Sequence, residues 1–93
     1  MPADASPPAK GFQDERYRAL IEALVEARRQ QGMTQTDLAK ALGHHQQFVS
    51  RFETGERRLD VVEWIDIARC LGLDPAAAAL DVPFKGHVRK AKS

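Results

Sequence analysis

Gln46, Gln47, Ser50 and Arg51 lie within the stretch H-Q-Q-F-V-S-R-F-E, and they are the side chains of this sequence best suited to specific polar recognition. A Gln amide holds a donor beside an acceptor, which matches N6 and N7 of adenine, while a guanidinium fork matches O6 and N7 of guanine. On a helix Arg51 shares a face with Gln47 and Gln46, so the three side chains converge on one surface. The same residue types also make an ordinary solvated helix face. Composition alone leaves that choice open.

The elements that must position these residues are legible around them. Thr34 is a preferred N-cap, Asp37 is an acid three positions later, and Leu38, Ala39 and Leu42 recur at helical spacing, predicting a helix over about 35–42. Gly43 ends it, since glycine takes a positive φ without a Cβ clash. Val49 and Phe52 form the inward side of a second helix, over about 45–53, which Gly55 closes. A helix so short depends on packing for its stability. Gln46 and Gln47 fall at its N-terminal end, the end that a helix-turn-helix directs towards base edges.

Several runs taken together resemble a known family. They are R-x-x-x-G-M-T-Q at Arg28–Gln35, L-A-x-x-L-G at Leu38–Gly43, V-S-R-F-E-x-G at Val49–Gly55, Arg58, and A-x-x-L-G at Ala68–Gly72. From about Tyr17 to Leu73 the chain looks like the lambda-repressor-like, Cro-type (XRE) helix-turn-helix family, and its Gln-Gln pair is similar to that of phage repressors whose glutamines read bases. The resemblance implies an all-α fold: a compact five-helix domain over 14–83 with flexible termini. It implies a sequence-specific DNA-binding transcriptional regulator, in the expected sense a repressor, reading a roughly palindromic operator on double-stranded DNA as a homodimer. Gln46, Gln47 and Arg51 would read bases, and Gln35, Ser50, Thr54 and Arg57 would hold phosphates. Arg28 lies at the edge of an apolar stripe, where a charge is costly without an anion; the resemblance supplies Glu53 as its partner in a structural ion pair.

The sequence departs from the family at His45, where Ser or Thr usually caps the second helix, and at Leu59, often a proline. Phe48 stands where a small residue is usual. It either touches a thymine methyl or packs beneath the helix.

Charge is not that of an overtly basic nucleic-acid binder, since the formal net value is +1. Residues 1–83 hold ten basic and thirteen acidic side chains, whereas 84–93 hold Lys85, Arg89, Lys90 and Lys92 and no acid. Phosphate contacts are therefore expected from a few placed groups and the tail. Ninety-three residues, 43% of them hydrophobic, suit one small helical domain with no second module. With no long apolar segment and no signal pattern, a cytoplasmic protein with no membrane partner is expected. Cys70 reads as a small core residue.

The rest of the chain divides simply. Residues 1–13, with three of the five prolines, read as a disordered arm. A first helix over about 14–31 repeats Tyr17, Leu20, Ile21, Leu24, Val25 and Arg28 on its inner face. Arg57 and Arg58 occupy the loop after the recognition helix, where either could touch phosphates and Arg58 could instead pair with a nearby acid. Asp60 caps a helix from Val61 to about Leu71, with Val61, Trp64, Ile65, Ala68 and Leu71 on the buried stripe. Asp74-Pro75 opens a short alanine-rich fifth helix that Pro83 ends. Helix 75–80 is the expected dimer contact, and that helix or the tail over 84–93 is the expected place for a protein partner.

No Ser-His-Asp or Cys-His arrangement, Gly-rich phosphate loop or convergent carboxylate pair is present, so no enzyme and no cofactor are expected. His44 and His45 are adjacent and cannot share one metal from a regular helix, so no metal is expected. The alternative function is an antitoxin or adaptor protein that chiefly binds a protein partner. Against it, an adaptor face would expose Leu, Ile or Met where this chain has Gln46, Gln47, Ser50 and Arg51.

Overall fold

Thr34, Asp60 and Asp74 each accept hydrogen bonds from the first turn of the helix that follows, and those bonds set the starts of three elements. A computed structural model describes residues 13–83 and Gly86, and among them it contains five helices and no strand. They are α1 (Glu15–Gln30), α2 (Gln35–Leu42), α3 (Gln46–Thr54), α4 (Val61–Cys70) and α5 (Pro75–Leu80). The expected arm and basic tail lie outside the described residues, apart from Gln13 and Gly86.

The first turns of α2 and α4 are closed reciprocally. Thr34 accepts from the Asp37 backbone N–H at 3.0 Å while Asp37 accepts from the Thr34 N–H at 2.9 Å; Asp60 and Glu63 repeat the arrangement. These bonds hold the Asp37 carboxyl below its usual range. Gly43, at φ 72°, ends α2 in the left-handed conformation and turns the chain into α3.

Ile21 and Leu24 of α1, Leu38 and Ala39 of α2, Val49 and Phe52 of α3, and Ile67, Ala68 and Leu71 from α4 and its end form one buried core. The most extensive packing is between α2 and α3, with α1 and α4 closing over them. Burying these side chains offsets the ordering cost that helices of eight or nine residues cannot meet alone.

The expected stripe of α4 is corrected. Val61 is 72% exposed and Val62 64%, whereas Ile67, absent from that stripe, is buried. The buried arc passes through Ile67, Leu71, Trp64 and Ala68, so it is rotated towards Ile67 and leaves Val61 beyond its edge. Trp64 is half-buried rather than central, and its indole N–H donates to the Pro75 carbonyl at 3.2 Å, joining α4 to the start of α5.

Candidate nucleic-acid interface

The turn between α2 and α3 is built by backbone bonds. The Gly43 N–H donates to Lys40 O at 3.1 Å and the His44 N–H to Ala39 O at 2.9 Å, closing α2 before His45 takes the extended conformation that begins α3. His45 makes no side-chain cap bond. The α3 N-terminus thus presents backbone N–H groups beside Gln46 and Gln47, both exposed.

Behind Gln46 runs a connected set of polar side chains. Its Nε2 donates to Gln35 Oε1 at 3.0 Å, and Gln35 Nε2 donates to Glu53 Oε1 at 2.9 Å. Arg28 closes on the same carboxylate through Nε at 2.7 Å and Nη2 at 3.1 Å, and its Nη1 reaches Met33 O at 2.7 Å. The Arg28 and Glu53 side chains are only 10% and 6% exposed. Among the described residues, no buried side-chain nitrogen or oxygen lacks a partner. The ion pair therefore ties α1 to α3, while Gln35 carries the connection to the surface.

The remaining candidates are placed as follows. Arg51 is exposed on α3, one turn after Gln47. Ser50 is half-buried, and Thr54 Oγ1 donates back into the helix, to Ser50 O at 3.0 Å and Arg51 O at 3.2 Å. Its single proton is committed there, so meeting a phosphate, which only accepts, requires the hydroxyl to turn that proton outward. Arg57 is held more firmly than a bare loop cation: its guanidinium donates twice to Glu63, at 2.9 and 2.7 Å, and lies 5.0 Å from the Phe48 ring centre. That grip keeps the Glu63 carboxyl below its usual range, helped by the Asp60 backbone N–H, and raises the Arg57 guanidinium. Arg58, left open between a phosphate and a nearby acid, lies over the Tyr17 ring at 4.2 Å.

Phe48 takes the inward of its two readings. It is half-buried against the core, stacked on His44 with ring centres 4.2 Å apart and tilted against Phe52 at 5.5 Å. Glu63 is the residue of this surface that sequence reasoning missed. The D-x-x-E spacing at Asp60–Glu63 is the local signal that could have found it as a capping residue, but nothing local signals Arg57 as its partner.

The neighbouring apolar surface lies between α4 and α5. Val61, Trp64, Ile65, Pro75, Ala76 and Ala79 line a groove there together with the charged Arg69 and Asp74, and Leu80, at the end of α5, is 83% exposed. Among the described residues no helix is long and apolar enough to cross a membrane, and no cluster of His, Cys, Asp and Glu is arranged to hold a metal ion.

Comparison with known proteins agrees with this geometry. Residues 24–78 match the helix-turn-helix family HTH_3. Among solved structures, the chain is similar to an XRE-family like protein from Pseudomonas syringae pv. tomato str. DC3000. The two are 48% identical, with a TM-score of 0.69, over 73% of this chain and 83% of that one. No curated protein matches it.

Proposed function

The chain belongs to the HTH_3 helix-turn-helix family of XRE-type DNA-binding regulators, and from that premise we propose that it is a transcriptional repressor reading a roughly palindromic operator as a homodimer. Gln46, Gln47 and Arg51 read bases; Gln35, Ser50, Thr54 and Arg57 hold phosphates. The observation that carries this reading is the exposed edge of α3. Gln46, Gln47 and Arg51 are all exposed there, Arg51 forms no ion pair among the described residues, and Gln46 is braced from behind. A bidentate contact from such a side chain is worth about 1–3 kcal/mol of discrimination between bases.

The largely apolar groove between α4 and α5, with Val61 in its lining and Leu80 exposed at the end of α5, supports a two-fold contact there. Pairing through that face sets two α3 helices in successive major grooves of one duplex side, half-sites about one helical turn apart. The same face would serve a protein partner if the chain works as an antitoxin or adaptor.

Two substitutions separate reading from holding. Gln47→Ala should cost about 1–3 kcal/mol on the preferred site and relax the base preference there, whereas Arg57→Ala should weaken all duplexes alike and reduce the salt slope by about 1. Unchanged sequence preference in Gln47→Ala would mean that α3 is not the reading helix.

A further inference from the structure

The guanidinium of Arg57 is already occupied within the chain. Nη1 and Nη2 donate to the two Glu63 oxygens at 2.9 and 2.7 Å, the pair of parallel bonds that a guanidinium otherwise makes to two phosphate oxygens. The carboxylate is fixed by its place at the start of α4: its Oε1 also accepts from the Asp60 N–H at 3.0 Å, and the Glu63 N–H donates to Asp60 Oδ1 at 2.7 Å. Arg57 is fastened at its root, where its backbone N–H donates to Arg51 O at 3.1 Å, and at its tip Nη1 reaches Arg58 O at 3.1 Å. Phe48, one of the departures from the family pattern, lays its ring 5.0 Å from the guanidinium. The Arg57 side chain is 44% exposed and that of Glu63 only 20%. The fork, on its flexible stem, is therefore the partner that can turn outward, and the carboxylate is the one that stays.

We infer that Glu63 is a built-in competitor for DNA: its carboxylate occupies the Arg57 fork until a backbone phosphate displaces it, so that binding exchanges one anion for another. The inference rests on the phosphate-holding role of Arg57 proposed above. Both anions offer paired oxygens to the same two nitrogens, and Glu63 cannot follow the fork outward because the Asp60 N–H holds it at α4. Each duplex contact made by Arg57 is thus weakened by the ion pair given up. Since phosphates are alike at every site, the exchange loosens all duplexes equally and leaves base preference to α3. It also fits the balance of the body, whose ten basic side chains over residues 1–83 face thirteen acidic ones.

A double-mutant cycle between Glu63 and Arg57 tests this directly. Glu63→Gln keeps side-chain length and an oxygen that can accept from the Asp60 N–H, as a capping box allows, so the start of α4 is retained while the charge is removed. Arg57→Ala removes the fork. Asp81→Asn, at the end of α5, removes a charge of the same sign away from Arg57. Binding of the full chain carrying each substitution, and of the Glu63→Gln, Arg57→Ala double variant, is measured on the best-bound duplex and on an unrelated one, with the melting temperature alongside. Salt is set at about 0.15 M, where charges more than about 8 Å apart are largely screened.

Glu63→Gln should tighten binding to both duplexes by about two- to fivefold, the equivalent of a partly exposed ion pair that no longer has to be broken. In the Arg57→Ala background the same substitution should tighten binding no more than Asp81→Asn does. Equal tightening with and without Arg57 would overturn the inference, since Glu63 would then act only as a repelling charge. Unchanged or weaker binding of Glu63→Gln would overturn it as well, because the carboxylate would then support the fork while it holds the phosphate. If Arg57→Ala alone left binding to both duplexes unchanged, the phosphate role of Arg57 itself would fall, a distinguishable result.

Discussion

Replacing Glu53 with Ala strands the Arg28 guanidinium. That side chain is 10% exposed, and of its three hydrogen bonds to protein only the one to Met33 O survives. Breaking a buried pair by removing one partner costs about 3–5 kcal/mol, most of it the penalty for leaving a charge desolvated and unpaired. A domain of this size has roughly 5–15 kcal/mol of stability in total, so a large share disappears. At about 4–8 °C per kcal/mol for small domains, the melting temperature should fall by at least about 12 °C. Removing both charges with apolar replacements, Arg28→Met with Glu53→Leu, should cost less than Glu53→Ala alone, since no orphaned charge remains; the Gln35 amide, half-exposed, can turn to water. Thermal unfolding followed by far-UV circular dichroism reads both. Glu22→Gln, in an exposed i, i+4 pair with Arg18, is the near-neutral control. A fall of under about 4 °C for Glu53→Ala, or a double variant less stable than Glu53→Ala, would refute the reasoning.

Two further perturbations follow from the same surface. His45 already has the extended backbone of an N-cap, φ −76° and ψ 152°, but supplies no side-chain acceptor, so His45→Ser should stabilise the domain by about 0.5–2 kcal/mol; an unchanged urea midpoint would contradict this. Glu63 is held below its usual range by Arg57, and a depressed folded value means stability that is fully present above the unfolded value and lost as pH falls through the folded one. Glu63→Gln should therefore flatten the loss of stability below the usual carboxylate range, measured by unfolding across acidic pH. It should also free Arg57, tightening binding to every duplex by more than the charge-matched control Asp81→Asn does.

Local chemistry was the legible part of this chain. Thr34, Asp60 and Asp74 mark helix starts because the bonds that define a cap span two or three residues, and Gly43 marks the turn because few residues take its φ. Arg28 on an apolar stripe demanded an anion, but only the family resemblance pointed to Glu53. What stayed illegible depends on how helices cross. The bond from Gln35 to Glu53 spans eighteen residues and exists only because α2 lays its first turn across the end of α3. The rotation of α4 that buries Ile67 and exposes Val61 is likewise a tertiary outcome, since Val61, Ile65 and Ile67 offered competing stripes of similar hydrophobicity. Phe48 could be read either way from its position on α3, and its stack on His44 decided the matter.

Selection from a randomised duplex library, with the retained fraction sequenced at two salt concentrations, tests the central claim most directly. A dimeric reader should enrich a short inverted repeat whose half-sites lie about one helical turn apart and whose enrichment persists at the higher salt. Retention that is weak, salt-sensitive and free of any enriched sequence would contradict the account.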